Sequence, residues 1–290
     1  MEFENLCYPF STDYFLSGEG YKVCYHDSGG RGKPVLFFIH GLGSYMLAWK
    51  EVIPPLTERF RCVAPDLPGY GKSSKKIEVP SPENYASIIT KLADHLRINN
   101  FSICGHSMGG MVALQAALDY PDRVKSLILA APAGLEEFTP EETDLVVNYV
   151  NPESIINNSE EGIRKNHLFS FYEYKESLQF LIDDRIAIRT ASDFIQHTHI
   201  ISSSVELMLR NPVTQRLNEL RIPVTVVFGE NDNLIPNKFL HPRITTAEIG
   251  MLAVNMIPGS ELKMIPECGH YIPLEQPEIL SDIITNHFRF

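Results

Sequence analysis

The stretch best able to do chemistry in this sequence is Gly105-His106-Ser107-Met108-Gly109-Gly110. Phe101-Ser102-Ile103-Cys104 ahead of it is a short apolar, β-compatible run, and residues 108–118 behind it are apolar apart from Gln115. A strand is therefore expected to run into a buried helix with a serine at the corner. Gly105 and Gly109 bracket that serine, where a Cβ would collide across a tight turn. The strained corner lifts the Ser107 hydroxyl clear of the sheet and leaves Met108 N–H at a helix N-terminus, facing whatever the hydroxyl attacks. A serine alcohol is a poor nucleophile near neutral pH, so it needs a base within hydrogen-bond reach, held in one tautomer by a third group.

Together with four further segments, this corner resembles the α/β-hydrolase superfamily from about residue 35 to the C-terminus, with a gap in the middle. Val35-Leu36-Phe37-Phe38-Ile39 is an apolar strand delivering His40-Gly41-Leu42-Gly43, where the family presents a backbone amide to an oxyanion; here that amide is Leu42 N–H. Asp66-Leu67-Pro68-Gly69-Tyr70-Gly71-Lys72-Ser73 is similar to an architectural loop of the family, so Asp66 is left outside the catalytic set. Gly229-Glu230-Asn231-Asp232 follows a strand-like run and matches the family's acid loop, with Asp232 favoured over Glu230 as the orienting carboxylate. Pro266-Glu267-Cys268-Gly269-His270 matches its histidine loop. The resemblance implies a Ser107, Asp232, His270 triad, an oxyanion site formed by Leu42 N–H and Met108 N–H, and an acyl-enzyme that water hydrolyses without metal or organic cofactor.

Serine as nucleophile separates the chain from relatives that use aspartate there, the haloalkane dehalogenases and epoxide hydrolases. Ser107-Met108-Gly109-Gly110 and Asp119-Tyr120-Pro121-Asp122-Arg123 also resemble hydrolases that cleave carbon–carbon bonds of aromatic ring-cleavage products. Two departures, Ser44-Tyr45-Met46 after Gly43 and Tyr271 in place of the common tryptophan, rank a carboxylesterase first and a carbon–carbon hydrolase second. A triad-bearing small-molecule receptor is the third reading.

The elements that must position these residues follow from composition and pattern. A chain of 290 residues can bury a large core, and its net charge of −11 without a Lys/Arg cluster argues against nucleic-acid or anionic-membrane partners. Met1-Glu2-Phe3-Glu4-Asn5 lacks the features of a signal peptide, which gives the expectation of a cytoplasmic protein without membrane insertion. The five scattered cysteines, never in a Cys-x-x-Cys pair, suggest neither a disulfide framework nor a zinc site.

Residues 14–16 and 21–25 read as a hairpin at a sheet edge; residues 35–39, 61–65, 101–104, 126–131, 222–228 and 261–265 read as further strands, with single helices between several of them. The fold class expected is α/β: a mostly parallel sheet flanked by helices, in two core segments, 1–134 and 222–290, around a helical cap at 135–221. Helical pieces are expected at 141–150, 175–182 and 203–209, with aromatics such as Phe169, Phe171 and Tyr172 roofing the nucleophile or filling the cap's own core. Arg185, Arg189, His167, His197 and His199 are residue types that can read an acidic substrate, but solvated surface is the favoured reading for each. An extension at 237–258, with a helix over 247–256, should meet the cap, and Phe239 and Leu240, with Tyr271, should line a pocket for a small, apolar, uncharged substrate. Oligomeric state is not legible.

Overall fold

The computed structural model describes residues 1–288 of the chain. One sheet carries β1 (Asp13–Leu16), β2 (Lys22–Asp27), β3 (Val35–Ile39), β4 (Arg61–Pro65), β5 (Phe101–His106), β6 (Val124–Ala130), β7 (Val224–Gly229) and β8 (Glu261–Ile265) in the spatial order β1-β2-β4-β3-β5-β6-β7-β8. The β1–β2 hairpin lies at the edge and pairs antiparallel, as does β2 with β4, while every pairing from β4 through β3 to β8 is parallel. The continuous apolar runs are explained by this placement, since β5 and β7 are buried at every position, as parallel strands covered on both faces must be.

Helices cover the sheet. α1 (Ile53–Leu56) is a single turn, and Pro54 and Pro55 stand within it. Trp49 ends a separate 3₁₀ turn, Met46–Trp49, and packs fully buried with its ring 5.3 Å from Phe38. α2 (Pro82–His95) starts where Ser81 Oγ accepts Asn84 N–H and packs on α3 (Met108–Asp119), which lies against β3, β5 and β6.

Between β6 and β7 the described chain is helical: α4 (Pro140–Tyr149), α5 (Pro152–Ile156), α6 (Glu160–Ser170), α7 (Gln179–Ala187) and α8 (Phe194–Arg210), joined by 3₁₀ turns. Thr139, Asn151 and Ser159 cap the first three through side-chain oxygens, and Thr139 with Glu142 completes a capping box. α8 begins well before the expected 203, because Phe194, His197, Ile201 and Val205 continue its buried face. After β7 come α9 (Thr246–Met256), packed on β7 and β8, then the turn α10 (Ile272–Glu275) and α11 (Pro277–His287).

The N-terminal residues lie on the insertion, a contact no local pattern announces. The Glu2 carboxylate accepts from Ser192 N–H at 3.0 Å and Ser192 Oγ–H at 2.9 Å, while Phe3 and Leu6 share a cluster with Tyr45, Leu47, Ile188 and Phe194. All five cysteines are free thiols, and no described helix is long and apolar enough to cross a membrane.

Candidate active site

β5 delivers Ser107 to the corner before α3 with φ +54°, a left-handed conformation that a serine adopts only when its surroundings enforce it. Those surroundings are glycines. A Cβ on Gly105 would lie 2.2 Å from the Gly109 carbonyl oxygen, as expected of a closed turn. Gly109 answers to a different neighbour: its Cβ would meet the carbonyl oxygens of Ile39 and His40 at 2.2 and 2.6 Å, so that glycine lets the end of β3 approach the elbow rather than closing the turn on itself.

This approach brings the loop after β3 beside the serine, where a Cβ on Gly41 would be 3.1 Å from Ser107 Cβ. Leu42 N–H and Met108 N–H have no protein acceptor among the described residues, the second because it opens a helix. His40 braces the loop. Its Nε2 accepts Leu67 N–H at 3.0 Å, which leaves Nδ1–H to donate to the Gly41 carbonyl at 2.8 Å, and burial pushes its pKa down to about 4. Asp66 is fully buried and accepts from Tyr8 O–H, Met46 N–H and Lys72 N–H at 2.7–2.8 Å, so it braces two loops and is spoken for.

Of the two carboxylates after β7, Asp232 meets His270. Asp232, 1% exposed, accepts from His270 Nδ1 at 2.8 Å through Oδ2, while its Oδ1 accepts Leu234 N–H and Ile235 N–H at 2.7 and 3.0 Å. Glu230 is exposed. His270 is pinned from both sides, because His106 Nε2–H donates to its carbonyl at 2.8 Å and its own N–H donates to the Ser170 carbonyl at 2.9 Å. The first bond ties the histidine loop to the elbow and the second to the end of α6. With Nδ1–H given to Asp232, Nε2 of His270 is the basic nitrogen. Ser107 Oγ makes no hydrogen bond to it here; such contacts commonly tighten only around substrate.

Three residues read as solvent-facing are placed otherwise. Arg185 projects from α7 over the loop after β3, so close that a Cβ on Gly43 would be 2.3 Å from Nη2. It shares a cleft of about 480 Å³ with Leu42, His167, Arg189 and Phe194. Among the described residues no carboxylate lies within 4.0 Å of it, and burial lowers its pKa from the ordinary arginine value without threatening its charge. His197 is 2% exposed, and His167 lines the same cleft with its pKa pushed down to about 4 by burial and, next, by Arg185. A signal for this existed: Leu181, Ile182, Arg185 and Ile188 fall on one face of α7, so the arginine sits in an apolar stripe. His199 is exposed and Arg189 half-buried.

Of the pocket residues, Tyr271 stacks on Phe171 with ring centroids 4.9 Å apart and faces the Arg185 side. Phe239 and Leu240 do not share the cleft of Leu42 and Arg185. Phe239 is 84% exposed and stacks on Phe169, and both 239 and 240 border an outer, largely apolar cleft of about 570 Å³ with Leu145, Tyr149 and Leu234. Tyr149 and Val150 border both clefts. The extension does meet the insertion, through a clamp that sequence reasoning missed: His241 Nδ1 lies 2.5 Å from Glu136 and its Nε2 lies 3.3 Å from Glu142.

A model of the alpha/beta hydrolase fold matches residues 34–277. The chain belongs to the α/β-hydrolase fold family. It is 26% identical over 294 residues to the 2-hydroxy-6-oxononadienedioate/2-hydroxy-6-oxononatrienedioate hydrolase of Klebsiella pneumoniae, covering 95% of each chain. To the uncharacterized hydrolase YugF of Bacillus subtilis it is 25% identical over 283 residues, 93% of this chain and 96% of that one. Among solved structures, a thermophilic esterase from Thermogutta terrifontis superposes with a TM-score of 0.76 at 26% identity, covering 96% and 98% of the two chains. A Pseudomonas aeruginosa protein described as a probable hydrolytic enzyme shares the fold over 100% of this chain and 98% of its own, with a TM-score of 0.88 at 24% identity.

Proposed function

We propose that this α/β-hydrolase fold protein is a serine hydrolase that cleaves a carboxylic ester bearing an anionic group. The observation that carries the hydrolase reading is the Asp232–His270 hydrogen bond of 2.8 Å, on a loop held to the strained Ser107 elbow by His106. Ser107 Oγ attacks the acyl carbon while His270 Nε2 takes its proton; Asp232 holds the tautomer and stabilises the imidazolium. Leu42 N–H and Met108 N–H receive the oxyanion, each contributing about 3 kcal/mol of transition-state stabilisation. Collapse returns the proton from His270 to the departing alcohol. Water then attacks the acyl-enzyme with His270 again as base, releasing the acid.

Arg185 supports the anionic part of the reading, which departs from the uncharged substrate expected from Phe239 and Leu240. A half-buried guanidinium beside the loop after β3 with no carboxylate partner among the described residues is costly unless a ligand supplies one, and its planar fork suits a carboxylate. The helical insertion then acts as the cap, supplying Arg185 and Tyr271's partner Phe171, and the outer cleft at Phe239 and Leu240 takes the apolar remainder of the substrate. The second reading, carbon–carbon bond hydrolysis, is favoured by the same arginine together with the relative from Klebsiella pneumoniae, whose named substrates are dioates.

The test is a pair of p-nitrophenyl esters of matched length, one of a monocarboxylic acid and one of a dicarboxylic acid with its far carboxylate free. The parent should prefer the acidic ester about tenfold or more in kcat/KM, and Arg185→Met should erase that preference. Equal turnover of both esters by parent and variant would remove the anionic assignment. Failure with every ester, alongside cleavage of a dienedioate, would put the carbon–carbon reading first.

A further inference from the structure

We propose that His197 is a positioning residue that aims Arg185 at the substrate anion while leaving its charge uncancelled; this rests on the anionic-substrate reading of Arg185. An arginine side chain has many rotamers to lose, so a selective contact requires something to hold the guanidinium. The common holder is a carboxylate, which would also neutralise it and compete with the substrate. Here the partner is an imidazole: Arg185 Nη1 lies 3.3 Å from His197 Nε2.

The direction of that contact is fixed by the other ring nitrogen. His197 Nδ1 is 2.7 Å from the Gly69 carbonyl, which can only accept, so Nδ1 carries the hydrogen and Nε2 is left with a bare lone pair. Nε2 can therefore only accept from Arg185. The ring itself is boxed by Phe3 at 5.0 Å, Tyr70 at 5.8 Å and Phe194 at 6.2 Å between centroids. α8 is also pressed against the loop that supplies Gly69, whose Cβ would meet Ile200 Cγ2 at 2.4 Å. Burial first, and the neighbouring Arg185 second, push the His197 pKa down to about 3, so it stays an acceptor at neutral pH. The arrangement thus couples α8, the loop after β4 and the N-terminal Phe3 to the direction of one cation.

The experiment measures glutarate binding by calorimetry and the kcat/KM ratio for the acidic and neutral esters, in the parent and in Arg185→Met, His197→Phe and His197→Gln. His197→Phe keeps an aromatic ring in the box and removes the acceptor; it should weaken glutarate about tenfold and lower the acidic-to-neutral ratio by a similar factor. His197→Gln retains an acceptor near the Nε2 position and should recover most of both. Should His197→Phe depress both esters equally and leave glutarate binding intact, His197 is packing only and the inference falls while the Arg185 reading stands. A parent that fails to bind glutarate and shows no preference between the esters overturns that reading and this inference with it. If His197→Phe does not fold, the His197→Gln and Arg185→Met data decide: a Gln variant as poor as Met in binding and in ratio contradicts the acceptor role.

Discussion

Ser107, Asp232 and His270 were legible in the sequence because each sits in a short loop whose neighbours are constrained by backbone geometry, and glycines write that geometry into the chain. The choice between Asp232 and Glu230 was less so; only the contact to His270 separates a buried carboxylate from an exposed neighbour two residues away. Asp232→Asn should therefore lower kcat by about 10⁴ by favouring the wrong histidine tautomer, whereas Glu230→Gln should stay within about threefold of the parent in steady-state ester hydrolysis. The opposite ranking would exchange the two roles. Arg185 and His197 were misread because residue type was allowed to outweigh position. A lone cation on an amphipathic helix face is assigned to solvent by composition, although the spacing of Leu181, Ile182 and Ile188 places it inward.

At the scale of elements, strands and core helices follow from runs that depend only on near neighbours, which is why the parallel sheet, α3 and α9 lie close to where the sequence pattern puts them. Contacts between distant segments carry no such local trace. The clamp of His241 with Glu136 and Glu142 joins the segment after the acid loop to the entry of α4, and no pattern in either stretch names the other. Its electrostatics give a signed expectation. The His241 pKa is raised from 6.5, chiefly by the hydrogen bond to Glu136, and Glu136 is raised from 4.5, chiefly by burial. Both groups hold their protons longer in the folded chain than in the unfolded one. Their contribution is full at low pH, falls as pH rises above 4.5 for Glu136, and is lost as pH passes the raised His241 value. Thermal melts from pH 6 to 9 should show Tm in His241→Ala falling about 2–4 °C less than in the parent. Identical slopes would show that the clamp does not titrate in this way.

For the whole molecule, the buried imidazoles set the acid limit. His40, His106 and His197 are nearly inaccessible, and burial lowers their pKa values to about 4, 3 and 3. Unfolding exposes them near 6.5, so their stabilisation is complete above that pH and is lost as pH falls toward about 4 for His40 and about 3 for His106 and His197. Urea midpoints should fall between pH 6.5 and 5, and a flat profile would contradict the neutral buried tautomers on which the loop after β3 and the Arg185 contact depend. These histidines, the N-terminal residues on the insertion and the α6 carbonyl on His270 all converge on one rim of the sheet, where a covalent step at Ser107 is the central claim. Its most direct measurement is rapid-quench mass spectrometry during turnover of a p-nitrophenyl ester, with peptide mapping of the adduct. The account predicts one acyl group per chain, on Ser107, formed in the parent and absent from Ser107→Ala. An adduct on another residue, or a Ser107→Ala protein that hydrolyses the ester at the parent's rate, would contradict it.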